Sequence, residues 1–265
     1  MPNIRLVAVD EDGTFLRDHV HYDKERFSIL FKRMQDLDVR FVVATGNQRY
    51  QVESLFSDYA DRIGIVSASG AYVVDRGDEV FVAHASDEAV ARMVDTCHKA
   101  PDVPFAFIGV RSTYIERGTS QAFFDDMALY STRIQWVDDF RDVDDKIIMF
   151  SSLVDESRVR QEIDRFRQTV GDFMDVTGSG GGYFDVSCPG INKAVGLGHL
   201  LDRYGIGPEE CVAFGDSDND LDMLRYVGLS YAMQDAPENV RDAADGVAPP
   251  CTEDGVLQVL EDLLF

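Results

Sequence analysis

Hydrophobic and polar positions along the chain change their period several times, and each change marks an element. From Ile4 to Val9 every residue except Arg5 is apolar, and the run stops at Asp10. A short run of this kind, rich in β-branched residues, predicts a strand buried on both faces. Between Asp23 and Leu37 the apolar residues Phe27, Leu30, Phe31, Met34 and Leu37 recur at helical spacing. That spacing predicts a helix packed by one face, with Asp23 placed to cap its start. Val39 to Ala44 repeats the buried-strand pattern and ends at Thr45-Gly46, Asn47 to Tyr59 is again helical, and Ile63 to Val66 is a further strand. Such alternation with short links is the sequence form of a parallel sheet, because parallel neighbours need a crossover and a helix usually supplies it. Ligands of these sheets lie beyond the carboxyl ends of the strands, where Asp10 and Thr45 fall.

After Ala71 the pattern changes. AYVVD and VFVAH flank RGDE as two alternating strands around a turn, which predicts a hairpin. The stretch 85–187 then runs helix (Asp87 to Lys99), strand pair (Phe105 to Ile115), helix (Ser120 to Leu129), strand (Ile147 to Leu153), helix (Glu156 to Val170) and strand pair (Phe173 to Ser187). This order predicts an open, largely antiparallel sheet with helices on one side. From Asn192 the first pattern returns, with a helix to Tyr204, a strand from Val212 to Phe214 and a helix from Leu221. The expected fold is therefore α/β, with a discontinuous parallel-sheet core (1–84 and 188–265) interrupted by an inserted α/β domain (85–187).

Composition narrows the partners. The 265 residues include 25 Lys and Arg against 48 Asp and Glu, a formal charge of −23. A surface of that sign repels nucleic acid and anionic lipid, so neither is expected as a partner. With 45% hydrophobic and 28% charged residues the chain matches a folded globular protein rather than a disordered polyanion. Cys97, Cys188, Cys211 and Cys251 form no C-x-x-C pair and read as reduced core thiols. Acids at Asp10, Glu11, Asp12 and Asp18 interrupt any leader-like stretch, and no apolar run approaches the ~18 residues of a membrane span. A cytoplasmic monomer or small homo-oligomer is expected.

Candidate chemistry gathers at strand ends. DEDGT (Asp10 to Thr14) puts two carboxylates two residues apart just past a buried strand, so that both project to the same side. An acidic turn around Asp12-Gly13 explains the same residues without chemistry. GDSDND (Gly215 to Asp220) follows the apolar CVAF, and carboxylates crowded there repel one another unless a divalent metal resolves the conflict. An EF-hand calcium loop does not fit, because Leu221 stands where its glycine is required and Val227 where its last glutamate is required. Asn192-Lys193 opens an amphipathic helix after Pro189-Gly190; alone, such a lysine reads as a solvated surface residue.

In this order along the chain (acid pair, Thr-Gly, lysine at a helix start, Gly-Asp-x-x-Asn-Asp) the sequence resembles the haloacid dehalogenase superfamily. TGNQ after FVVA, and the stretch from NKAVGL to GDSDNDLDML, resemble its Cof-type phosphatases, and among them sugar phosphatases. The resemblance implies a Rossmann-like core with an inserted cap and a small phosphorylated metabolite as substrate. It implies Asp10 as nucleophile and Asp12 as general acid and base. Thr45, Gly46, Asn47, Lys193 and Asn219 would surround the phosphate. Mg2+ would be held by Asp10, Asp12 through its backbone carbonyl, and Asp216, with Asp220 as a ligand or a support behind them. Such chemistry is consistent with a carboxylate attacking phosphorus, an acid protonating the leaving alkoxide, and charge-assisted donors around the transferred group. A phosphotransferase or phosphomutase, and a silent phosphate-binding regulator, are the alternative readings.

The sequence departs from the family's habit at Glu11, where an apolar residue is usual, and at Asn47, where Arg is commoner. GSGGG (Gly178 to Gly182) lacks the GK[ST] of a phosphate loop and reads as a hairpin tip able to reach the site from above. His19 and His21 lack a zinc pattern. Phe123, Phe124 and Tyr130 read as cap interior, and Asp138 to Asp145 as a solvated loop.

Overall fold

The computed structural model describes residues 3–265. In chain order the strands are β1 Leu6–Val9, β2 Arg40–Ala44, β3 Gly64–Ser67, β4 Tyr72–Asp75, β5 Asp78–Val82, β6 Ala106–Gly109, β7 Thr113–Glu116, β8 Ile134–Val137, β9 Ile147–Leu153, β10 Asp175–Gly180, β11 Tyr183–Ser187, β12 Cys211–Gly215, β13 Leu229–Met233 and β14 Gly246–Ala248. The helices are α1 Lys24–Asp36, α2 Arg49–Leu55, α3 Asp87–Lys99, α4 Gln121–Ala128, α5 Glu156–Val170, α6 Lys193–Tyr204, α7 Leu221–Tyr226, α8 Glu238–Arg241 and α9 Gly255–Leu264.

Both ends of the chain build one eight-stranded sheet, ordered β14-β13-β12-β1-β2-β3-β4-β5. From β14 to β3 the pairs are parallel, and the β4–β5 hairpin closes the other edge antiparallel. Alternate side chains serve two cores, as the pleat requires. Val7, Val9, Phe41 and Val43 face α1 and α9, while Leu6, Ala8, Val42 and Ala44 face α6 and α7. Burial on both sides is why these strands read as nearly unbroken apolar runs. Asp23 caps α1 as expected, accepting from the Arg26 N–H at 3.0 Å. Leu37, expected on the packed face, is exposed.

The second sheet has six strands, ordered β10-β11-β9-β6-β7-β8, antiparallel except for β7 beside β8. Helices cover both of its faces rather than one. Phe107 and Tyr114 look toward α3 and α5, whereas their neighbours Ala106 and Ile115 pack on Phe123 and Met127 of α4. Apolar residues on both sides of β6 and β7 demand that second cover. Phe123 is interior as expected, and Phe124 stacks on Trp136 of β8 with ring centroids 4.7 Å apart. The acidic stretch is not simply solvated: Phe140–Asp142 forms a helical turn, and Asp145 accepts from the Tyr114 hydroxyl and the Arg111 N–H, each at 2.9 Å. No helix among the described residues is long and apolar enough to cross a membrane.

Candidate active site

Parallel register decides which residues meet. β1 runs between β12 and β2, with Val9 level with Phe214 on one side and Val43 on the other. Asp10, Thr45 and Asp216 therefore leave the sheet side by side. Behind the turn that starts at Asp10, Phe15 packs on Phe27, Phe41 and Phe56, which fixes where the turn rejoins the core.

Lys193 reaches the same place from the first position of α6. Its Nζ donates to Asp10 Oδ1 and to Asp220 Oδ1, both at 2.6 Å, and the side chain is fully buried. The helix starts there because Asn192 accepts the Val195 N–H at 3.0 Å. Gly70, at φ +101°, lets the turn before β4 press against it; a Cβ there would lie 2.0 Å from the Asn192 carbonyl oxygen. Burial alone would favour the neutral amine, but Asp10 and Asp220 outweigh it and hold the ammonium above the usual lysine range.

Asp10, Asp216 and Asp220 bring carboxylate oxygens within 4.8 Å of one another. Burial first, then the charge of Asp10, push Asp216 and Asp220 above the usual carboxylate range. Thr14 Oγ1 donates to Asp216 Oδ1 at 3.1 Å, and Gly13, at φ +78°, passes so close that a Cβ would fall 2.5 Å from Asp216 Oδ2. The Oδ2 of Asp220 accepts the N–H groups of Asp216 and Ser217, each at 3.1 Å, so this residue ties the GDSDND turn to Lys193. Crowded hard oxygen donors with one ammonium among them suit magnesium.

Asp12 lies on the other side of Asp10. His19 Nδ1 is 2.9 Å from its Oδ1, and Asn47 Nδ2 donates to its Oδ2 at 2.7 Å. The same Asn47 amide donates to Glu11 Oε2 at 2.9 Å, so it bridges two carboxylates. Thr45 Oγ1 accepts the Asn47 N–H at 3.0 Å and thereby sets that bridge. Glu11 is fully buried and its Oε1 has no partner. Burial and the charge of Asp12 push its carboxyl up to about 8.

These groups floor a cavity of about 270 Å³. Its core side includes Asp10, Asp12, Thr45, Gly46, Asn47, Asp216 and Asn219, so every residue singled out in the sequence gathers here or, like Lys193 and Asp220, directly behind. The opposite side comes from Met149, Ser151, Ser179, Tyr183 and Asp185 of the six-stranded sheet and from Met127 of α4 with Tyr130 just after it. Tyr130 is thus a cavity residue rather than interior packing, and its ring meets Tyr183 edge-on at 5.3 Å. The GSGGG tip does reach the site, through Ser179, Gly180 and Gly181. Asp185 is buried, which pushes its carboxyl up to about 6 against the opposing effect of hydrogen bonds from Ser151 and Ser179. A separate group, His98, Glu116 and Asp139, is a surface polar network in which His98 Nε2 lies 3.0 Å from Glu116 and Arg141 pairs with Asp139 at 3.2 Å. None of His19, Gln48 (the last residue of TGNQ) and Asp185 is assigned a role by the sequence alone.

Fold and site together define an α/β phosphohydrolase. The chain belongs to the haloacid dehalogenase-like hydrolases, whose family profile matches residues 7–260, and the Cof-type resemblance holds. It is similar to the 5-amino-6-(5-phospho-D-ribitylamino)uracil phosphatase YbjI of Escherichia coli K12, at 36% identity over 99% of this chain and 97% of the relative. A Bacillus subtilis phosphatase of the same description, YcsE, is 25% identical over 97% of this chain and 95% of its own. Among solved structures, SMU.1108c of Streptococcus mutans UA159 superposes with a TM-score of 0.93 at 29% identity, covering 98% of this chain and 99% of that one. The sugar phosphatase BT4131 shares the fold, with a TM-score of 0.84 at 23% identity over 98% and 100% of the two chains. The protein is a phosphoric monoester hydrolase of this family.

Proposed function

We propose that the protein hydrolyses the phosphate monoester of a small polyhydroxylated metabolite, in a magnesium-dependent reaction that passes through a phosphorylated Asp10. The observation that carries this reading is the buried Lys193 ammonium at 2.6 Å from both Asp10 and Asp220, beside an Asp12 held by His19 and Asn47. Asp10 attacks phosphorus as the ester bond breaks, and Asp12 gives its proton to the departing oxygen. Asp12 then takes a proton from the water that cleaves the acyl phosphate, restoring both carboxyls. Thr45, the Gly46 N–H, Asn219 and Lys193 offer donors to the transferred group. Asn47, with its amide on Glu11 and Asp12, orients the acid rather than the phosphate. Magnesium, held by Asp10, Asp216 and the Asp12 carbonyl with Asp220 behind, would supply charge neutralisation between two anions that must meet.

On this reading residues 85–187 are the cap over a core of 1–84 and 188–265, and cap residues choose the leaving group. Tyr130 and Tyr183 suit a flat ring, while Ser151, Ser179 and Asp185 suit hydroxyl or amino groups near the phosphate. YbjI and YcsE are named for a phosphorylated ribitylaminouracil, which has both parts, so that ester stands beside hexose phosphates as a first substrate to test. Phosphate release from this set should require magnesium, stop with EDTA, and fall by at least about a thousand-fold in Asp10→Asn. Turnover retained in that variant rules out Asp10 as nucleophile.

A further inference from the structure

Gln48 follows the phosphate-site turn by one residue and is buried, yet neither phosphate chemistry nor helix capping uses its side chain. It precedes α2, a position where Ser, Thr, Asp or Asn normally accepts a helix N–H. Its carboxamide makes no such bond. Instead it crosses to the other sheet: Oε1 accepts the Arg133 N–H at 3.0 Å, and Nε2 donates to the Arg133 carbonyl at 2.9 Å and to Thr113 Oγ1 at 3.3 Å. The backbone N–H of Gln48 donates to the Tyr130 carbonyl at 3.1 Å. Nearby, Gln51 Nε2 donates to the Leu129 carbonyl at 3.0 Å, and the Arg133 guanidinium lies 3.4 Å from the centre of the Tyr50 ring.

A primary carboxamide is the side chain that carries a donor and an acceptor side by side without charge, so it can pair with both polar groups of one backbone residue as a neighbouring strand would. Glu keeps the acceptor but turns an anionic oxygen toward the Arg133 carbonyl. Both ends of this junction continue into the cavity, through Gly46 and Asn47 on one side and Tyr130 and Ser131 on the other.

We infer that Gln48 is a positioning residue that locks the 129–133 turn of the cap onto the phosphate-binding turn of the core, so that the leaving-group wall and the phosphate site keep one spacing. This rests on the reading of the cavity as the substrate site, but the docking itself is measurable without turnover. Hydrogen exchange on the full-length protein should show the 129–133 amides of Gln48→Met exchanging roughly ten-fold faster or more, as expected for several lost hydrogen bonds. Amides of β9 and α5 should be unchanged, which shows that the cap itself stays folded. Gln51→Ala, which removes one bond to the same turn, should give a smaller increase and decides the matter if Gln48→Met does not fold. KM for a hexose phosphate or the ribitylaminouracil phosphate should rise about ten-fold in Gln48→Met, whereas KM for acetyl phosphate, too small to reach the cap wall, should change far less. Unchanged exchange at 129–133 overturns the inference. So does an equal rise in KM for acetyl phosphate, which would place Gln48 in the phosphate grip instead.

Discussion

Glu11 makes stability depend on pH in a direction opposite to that of an ordinary surface acid. It is fully buried beside two other acids, one of its oxygens has no partner, and burial, then the charge of Asp12, push its carboxyl from 4.5 to about 8. Between those values the folded protein holds a proton that the unfolded chain has released. The unfolding free energy changes with pH in proportion to protons bound by the unfolded state minus those bound by the folded state, and here that difference is negative. The contribution of Glu11 is therefore fully present below about pH 4.5 and is lost as pH rises through about 8. At about 1.4 kcal/mol per pH unit for a whole proton, the loss between pH 5 and pH 8 reaches roughly 4 kcal/mol at most. Glu11→Met keeps most of the volume and removes the titrating group. Urea unfolding of both proteins in EDTA, compared at about pH 5 and about pH 8, should show the variant gaining on the wild type by several kcal/mol as pH rises, with similar m values. A stability difference that stays flat to within about 0.5 kcal/mol across that range refutes the reasoning, because other titrating groups are common to both proteins and largely cancel.

Two further substitutions test the two sides of the cavity. Asp185→Ala removes a buried carboxyl from the wall opposite Asp10, and should lower kcat/KM for a polyhydroxylated ester by roughly ten- to a hundred-fold relative to that for an aryl phosphate; an unchanged ratio means that Asp185 touches no substrate. Gly13→Ala forces a methyl group to 2.5 Å from Asp216 Oδ2 at a φ of +78°. The magnesium concentration giving half-maximal activity should rise by more than about ten-fold, and a normal magnesium titration would show that Asp216 does not set metal affinity.

Legibility followed locality. β1, β2 and β12 could be read because burial on both faces leaves a nearly continuous apolar run, and their ends then point to Asp10, Thr45 and Asp216 without further knowledge. Lys193 stood out by order along the chain, not by its surroundings, since its two carboxylate partners lie far from it in sequence, at Asp10 and Asp220. β13 and β14 went unread because short strands such as Gly246–Ala248 owe their form to pairing with a sheet already built. β8 was missed for the same reason: Ile134–Val137 pairs with β7 and carries Trp136 onto Phe124, contacts with no local periodicity. Gln48, Tyr130 and Asp185 acquire a role only when two sheets face each other, whereas His19 meets Asp12 within one turn of the core. No window of sequence contains both walls of that cavity.

The acidity of the chain and the handling of an anionic substrate meet at one count of charge. Around Lys193 stand Asp10, Asp216 and Asp220, three carboxylates against one ammonium, which when all are ionised leaves an excess of two negative charges. Burial first, then the charge of Asp10, holds Asp216 and Asp220 above the ordinary carboxylate range, so the crowded cluster favours protons. One divalent cation cancels the excess without protons. On the proposed reading, metal uptake and proton release are then a single equilibrium, and the affinity for metal weakens as pH falls. On the same reading a phosphate dianion meets a field set chiefly by the groups that line the cavity and by the ion they would hold, because at physiological ionic strength charges beyond about 8 Å act only through a screened field.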